Sequence, residues 1–376
     1  MDALDRALEK SGAAAYVMVG SSDYPDMRYL TRFITTDPIV YIRRIRERGF
    51  IIVSQMEYSR ALQEAATGVM TRADAGLLRI LEEEGDRWRA LARMVADHAG
   101  GKILVPPDLP YALGYQLGDL AGVITDKGTI ASMRAKKSRG EILSIGRVQR
   151  KTEKAMAHAI GCIRRSKPRN GGVLWLGGKP LTSERIRSEI HALLMHQGCL
   201  VKDTIVSCGR ETAAPHNRGS GPLYEGEPVV IDIFPSDERT GYYSDMTRTV
   251  VKGDPAPEIR EMYTAVKAAQ DLAASIMKPG VSGQEVYQAI VDLFSSQGYR
   301  TGTEGFTHNL GHGVGLEVHE LPSLGPGGGL LRQGNVVTNE PGLYYEKTGG
   351  VRLENIGIFT RTGYRCITSF PRELVV

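Results

Sequence analysis

Three of the chain's eight histidines, His308, His312 and His319, fall within G-F-T-H-N-L-G-H-G-V-G-L-E-V-H-E-L-P (residues 305–322). Imidazoles can ligate metals and carry protons near neutral pH. Four carboxylates stand where a core strand should carry none. Asp232 interrupts the apolar run P-V-V-I-D-I-F, and Asp245 sits in Y-Y-S-D-M-T-R-T-V-V. Glu340 follows in V-V-T-N-E-P-G-L-Y-Y, and Glu354 in G-G-V-R-L-E-N-I-G-I-F. A buried carboxylate must be hydrogen-bonded, ion-paired or bound to a cation. Asp232 could pair with Arg248 and Glu354 with Arg352. Repeated like charges within one predicted sheet would still repel unless something positive sits among them.

A metal centre resolves this, with a nitrogen ligand supplied from the 305–322 stretch. Four carboxylates and one imidazole form a mostly hard, oxygen-rich set that favours Mn²⁺, Co²⁺ or Fe²⁺, with Zn²⁺ as a further option. Five protein ligands exceed what one catalytic ion needs, so two ions about 3.5–4 Å apart fit better.

The elements that must position these groups follow from periodicity. Residues 2–12 read as a helix followed by the strand A-A-A-Y-V-M-V-G. Further strands are read at G-F-I-I-V-S (49–54) and K-I-L-V-P (102–106), with one helix between them ending at Gly100. Strands alternating with helices predict an α/β layer. A long helical pattern starts near Glu141, and the boundary is set near residue 135, giving domains 1–135 and 136–376. The second domain has helical stretches at 182–198, 257–277 and 283–297, interleaved with strand pairs that return on themselves. That pattern predicts an α+β fold, an antiparallel sheet backed by helices.

Other function classes find little support. A net charge of +4 is too weak for a nucleic-acid partner. The basic clusters at 43–48, 134–140 and 164–169 read as solvated faces of helix-like stretches or linkers. Cys162, Cys199, Cys208 and Cys366 form no C-x-x-C pair, which argues against a zinc ribbon, a dithiol motif or a disulfide scaffold. The charged N-terminus is no signal peptide, and no apolar run is long enough to span a membrane, so a cytoplasmic protein is expected. H-E-L-P-S is not H-E-x-x-H, since Pro322 would break the helix that motif needs. His98, His158, His191 and His196 fall on predicted helices and read as ordinary surface or core residues.

The segments V-V-I-D-I-F…G-Y-Y-S-D-M-T-R-T, H-N-L-G-H-G-V-G-L-E-V-H-E, N-E-P-G-L-Y-Y and G-V-R-L-E-N resemble, in order and spacing, the pita-bread metallohydrolases. The resemblance is to the branch of Xaa-Pro dipeptidase (prolidase) and aminopeptidase P, with looser matches in the first domain. It implies a C-terminal pita-bread catalytic domain behind a smaller α/β domain, and a homodimer. It implies that Asp232 chelates one ion, that Asp245 and Glu354 bridge both, and that His312 and Glu340 hold the other. Glu340 would also move a proton, His319 and His216 would face the substrate as catalytic groups, and His308 and Arg352 would line the substrate side. The implied substrate is a short peptide with proline in second position. The alternatives are an amidohydrolase of a non-proline or non-peptide substrate, and a non-catalytic binding module. Three departures stand out, the first being Asn339 before Glu340, polar where an apolar residue is common in the family. Asp232 is followed by Ile-Phe-Pro, and lies 13 positions before Asp245, two more than usual for the family, which places the extra residues at the hairpin tip 235–241.

Overall fold

The computed structural model describes residues 1–376 and divides into two units, Met1–Arg134 and Ala135–Val376. In the first, six strands form one mixed sheet in the order Gly68–Thr71, Phe50–Val53, Ile39–Arg44, Ala15–Gly20, Ile103–Val105, Val123–Thr125. Ile39–Arg44 is antiparallel to both of its neighbours, Ala15–Gly20 and Phe50–Val53, and the three other pairs of the sheet are parallel. The stretch read as one helix up to Gly100 is two, Leu77–Glu84 and Arg87–Ala99. Gly85 ends the first in the left-handed region, and the Asp86 side chain caps the second by accepting from Arg89 N. A C-terminal glycine and an N-cap aspartate in succession break the helix despite its continuous pattern. The basic cluster at 43–48 is not helical: Arg43 and Arg44 end a strand, and Arg43 pairs with Asp2 and Asp5.

The second unit opens with the helix Arg139–Arg165, fixed at its start by a capping box between Ser138 and Glu141. Its apolar stripe, including Val148, Met156, Ala159 and Ile163, packs with the helix Ser183–His196 and the strands Ile205–Cys208 and Pro228–Ile233. The helices Pro257–Ile276 and Gly283–Ser296 build a second core with Val337, Leu343, Val351 and Leu353. The expected return pairings are present, all antiparallel: Pro228–Ile233 with Met246–Val251, Val336–Asn339 with Asn355–Phe359, and Gly342–Tyr345 with Gly349–Arg352. The fold is therefore α+β. No helix is long and apolar enough to cross a membrane.

The four carboxylates do not lie within strands of one sheet, as the sequence suggested. Asp232 alone is inside a strand. Asp245 immediately precedes Met246–Val251, Glu340 follows Val336–Asn339, and Glu354 sits in the break between Gly349–Arg352 and Asn355–Phe359. These elements belong to three separate ladders whose ends meet. A strand end frees its side chain from strict alternation, so groups from different ladders can face one point. Within the hairpin tip 235–241, Ser236–Asp237 forms a short strand that pairs with Cys199–Leu200.

The glycines of G-H-G-V-G serve close approach, not turning, because none of the three has positive φ. A Cβ on Gly311 would overlap the Thr338 carbonyl, and one on Gly313 the Leu321 carbonyl. Backbone there passes too near a neighbouring strand for any side chain. Gly313→Ala should therefore cost about 1–3 kcal/mol through overpacking. The expected result is a lower thermal midpoint, while Gly329→Ala, with open space around its Cβ position, leaves it unchanged. Equal midpoints for the two variants would contradict the close-approach account.

Candidate metal centre

Register decides which side chains meet. Asp232 lies opposite Thr247 across the ladder, and Ile231 opposite Arg248. Cross-strand partners share a face and neighbours alternate, so Asp232 and Thr247 point one way and Arg248 the other. The Asp232–Arg248 pair expected from sequence is therefore not formed. Arg248 donates instead to the carbonyls of Thr247, Glu354, Phe370 and Pro371 and to Asn355 Oδ1. Asp232 takes Arg352 as partner, Nη2 to Oδ2 at 2.6 Å, which also removes Arg352 from Glu354. Thr247 stands between the two groups: its hydroxyl donates to Glu354 Oε2 at 2.8 Å and accepts from Arg352 Nε at 3.1 Å.

Around this pair the remaining groups converge. Ligand atoms of Asp245, His312 and Glu354 all lie within 4.8 Å of one another. His312 Nε2 is 3.0 Å from Glu340 Oε1 and 3.9 Å from Asp245 Oδ2. Its Nδ1 is 3.1 Å from the Gly313 carbonyl, which only an N–H can face, so Nε2 is directed at the acids. The Thr338 hydroxyl donates to Glu340 Oε1 at 3.0 Å and accepts from His312 N, holding both on one scaffold.

Burial and repulsion shape the charges. Asp245 is held well above the ordinary carboxylate range by burial and by the charges of Glu354, Asp232 and Glu340. Glu354 is pushed up to about 8 by burial and by Glu340 and Asp232. Burial also acts against ionised Glu340, but the hydrogen bond and charge of His312 hold it down at about 2. His312 resists burial through its bond to Glu340 and the charges of Glu340 and Glu354, and rises to about 9. Asp232 Oδ1 and Glu354 Oε1 are buried and have no hydrogen-bond partner. Two orphaned carboxylate oxygens in a pocket of four acids against one guanidinium are the signature of a cation site. The oxygen-rich donor set fits hard divalent ions.

The other expected site residues lie around this centre. The rings of His312 and His319 have centroids 4.2 Å apart, and His319 is exposed on the turn before the Glu320–Leu324 strand. His216 is exposed on the loop after Gly209–Ala213, and its charge bears on both His308 and His319. The Pro215 carbonyl of that loop accepts from Arg352 Nη1 at 3.3 Å. His308 Nδ1 faces the Asn309 carbonyl at 2.7 Å, so its Nε2, 2.9 Å from the Tyr344 hydroxyl, is the accepting nitrogen. Tyr344 in turn accepts from Arg352 Nη1 at 3.0 Å.

Several positioning groups went unread in the sequence. Tyr344, Thr247 and Thr338 are hydroxyls on otherwise ordinary strands. Gln270 is buried on the helix Pro257–Ile276, and its Nε2 donates to the carbonyls of Asn339 and Leu353, the residues just before Glu340 and Glu354. Asn339 answers by donating to the Gln270 carbonyl at 2.9 Å, which accounts for a polar residue where an apolar one was expected. Lys137, read as part of a solvated basic cluster, is buried and ion-paired with Glu320 beside the site.

A model of metallopeptidase family M24 matches residues 144–361. The Xaa-Pro dipeptidase of Pyrococcus horikoshii is 31% identical over 343 residues, 89% of this chain and 88% of that protein. An uncharacterized peptidase of Bacillus subtilis is 38% identical over 203 residues, 53% of this chain but only 56% of that protein. The solved structure of a Xaa-Pro dipeptidase from Bacillus anthracis superposes with a TM-score of 0.84 at 26% identity, covering 100% of this chain and 98% of that one.

The charge balance gives a pH prediction. Without ions, Glu354, Asp245 and His312 all bind protons more tightly folded than unfolded. Their contribution to stability is present at low pH and lost as pH rises toward about 8 and about 9, the folded values of Glu354 and His312. Glu340 is opposite in sign, but its stabilisation is lost only on acidification toward about 2, outside that window. The thermal midpoint of chelator-treated protein should fall between pH 6 and pH 8.5, and the rise produced by Mn²⁺ should grow over the same interval. Glu354→Gln should flatten the first slope. A chelated protein whose midpoint ignores pH would contradict the assigned protonation.

Proposed function

The chain belongs to metallopeptidase family M24, and from that premise we propose that it is an exopeptidase using two divalent ions to hydrolyse the bond before proline in short peptides. Asp232, Asp245, His312, Glu340 and Glu354 would hold the ions, with Mn²⁺ or Co²⁺ favoured by the hard donor set. The observation that carries this reading is the pair of buried, partnerless oxygens, Asp232 Oδ1 and Glu354 Oε1, in a cluster of mutually repelling acids. The proline preference rests on the Xaa-Pro dipeptidases among its relatives. The same reading carries a cytoplasmic homodimer.

When bound, the ions supply Lewis-acid polarisation of the scissile carbonyl and acidify water at neutral pH. The protein's own groups do the rest. Glu340, ionised because His312 stands against it, accepts a proton from water and delivers it to the departing nitrogen. Thr338 and His312 both engage Glu340 Oε1, which leaves Oε2 as the oxygen that would handle the proton. His319 and His216, both exposed beside the centre, are placed to donate hydrogen bonds to the carbonyl oxygen as negative charge develops there. Arg352 is a positioning residue: its guanidinium holds Asp232, Thr247 and Tyr344 at once, and through Tyr344 sets the accepting nitrogen of His308.

The test is hydrolysis of Xaa-Pro dipeptides, Xaa-Pro-Xaa tripeptides and proline-free controls after loading with Mn²⁺ or Co²⁺. Cleavage of the proline peptides alone is expected, with the dipeptide-to-tripeptide ratio separating dipeptidase from aminopeptidase. Equal cleavage of the controls would overturn the proline assignment. Glu340→Gln should lower kcat about 10²–10⁴-fold, the range for loss of a general acid–base, whereas Tyr344→Phe, which keeps the ring and loses only the hydroxyl link, should act far more weakly.

A further inference from the structure

A second group of convergent ligand atoms lies away from the carboxylate centre. His158 and Cys162 are four residues apart on the helix Arg139–Arg165 and so share one face. Glu189 reaches them from the helix Ser183–His196. His158 Nε2 is 2.7 Å from Glu189 Oε2, and Cys162 Sγ is 3.7 Å from that nitrogen and 3.3 Å from that oxygen. We propose that His158, Cys162 and Glu189 bind one zinc-type divalent cation, at a site separate in place and in chemistry from the carboxylate centre.

The spacing suits such an ion. Metal–ligand bonds of about 2.0–2.3 Å in a tetrahedron put ligand atoms roughly 3.3–3.6 Å apart. Both sulfur distances lie near that range, and only the His158–Glu189 contact must open, as the ion takes the place of the shared proton. The donor types discriminate between metals. One sulfur, one nitrogen and one oxygen suit Zn²⁺ or Co²⁺, while Mn²⁺ and Mg²⁺ are poorly matched to a thiolate. A thiolate and a carboxylate bring two negative charges to a doubly charged cation, so the filled site is neutral.

The surroundings are built to the same end. The Arg185 guanidinium lies 3.5 Å from Glu189 Oε1, which leaves Oε2 turned toward His158 and Cys162. Arg165 Nη2 donates to Cys162 Sγ at 3.6 Å and favours the thiolate. Cys162 is buried, while the side chains of His158 and Glu189 are 37% and 34% exposed, giving an approach from solvent and room for water as a fourth ligand. With no ion, burial and the Glu189 carboxylate push the Cys162 thiol up to about 11, so binding must expel a proton. A bound ion would cross-link two helices that otherwise pack through apolar side chains, 27 residues apart at Cys162 and Glu189.

The test exploits the sulfur. The carboxylate centre holds no cysteine, so thiolate-to-cobalt charge-transfer absorption in the near ultraviolet can come only from elsewhere. The whole chain, stripped with a chelator, is titrated with Co²⁺ alone. The expected result is a charge-transfer band that saturates at one equivalent beyond those taken by the carboxylate centre, or before them, and that Zn²⁺ abolishes by displacement. Cys162→Ser should lose the band completely. His158→Gln should shift its titration to higher Co²⁺, with far-ultraviolet circular dichroism confirming that both variants fold. A wild-type protein saturated with Co²⁺ but lacking the band overturns the proposal, leaving a His–Glu–Cys hydrogen-bond cluster. So does a band that survives in Cys162→Ser.

Discussion

Burying Asp232, Asp245, Glu340 and Glu354 around one point, with Arg352 as the only guanidinium among them, sets a repulsion that the C-terminal unit must contain. In a low-dielectric pocket such groups are tolerated only when protonated or matched by positive charge. Without ions the protein uses protons: Asp245 and Glu354 resist ionisation, and His312 keeps its own. Divalent cations answer the same demand more fully, because they also satisfy the orphaned oxygens. Metal loading, proton release and rigidity of the site are thus one equilibrium.

Holding mutually repelling groups together requires a scaffold that does not yield. Strand ends, not strand middles, carry three of the four acids, and the breaks that aim them are themselves tied down. Gln270 binds the carbonyls preceding Glu340 and Glu354, so one helix side chain fixes the origin of two acids. Arg248, buried on the opposite face of the Met246–Val251 strand, gathers carbonyls from Thr247, Glu354 and the C-terminal segment. The glycines flanking His312 let that strand lie against its neighbours without intervening side chains, so the imidazole reaches Glu340 from a short distance. Each contact serves position more than net stability, since a buried hydrogen bond is worth about 1 kcal/mol and one left unmade costs more.

A common logic links this centre with the proposed thiol-containing one. Both place ligands on elements distant in sequence and orient each with a neighbouring donor: Thr338 for Glu340, Arg185 for Glu189. The difference is chemical. One set is oxygen-rich and carries excess negative charge, and the other offers a sulfur that sorts ions by softness. Two sites of different preference in one chain would allow different metals to be held for different ends.

The sequence by itself determined the local and the compositional: the α+β character of the second unit, its antiparallel pairings, and the presence of acids too numerous for an uncharged core. Those features are legible because period-two alternation and a misplaced carboxylate are properties of a few adjacent residues. It could not determine partners. Sequence proximity suggested Arg248 for Asp232 and Arg352 for Glu354, but register turns Arg248 away and Arg352 reaches Asp232 instead. Asn339 looked like a variation without consequence until Gln270, 69 positions earlier, was seen to need it. His158 and Cys162 read as unremarkable, since Glu189 joins them only when two helices pack. Pairing across long separations depends on how faces and ladder ends meet in space, and the tertiary structure alone decides it, because the energy of a contact is set by distance and burial, not by order along the chain.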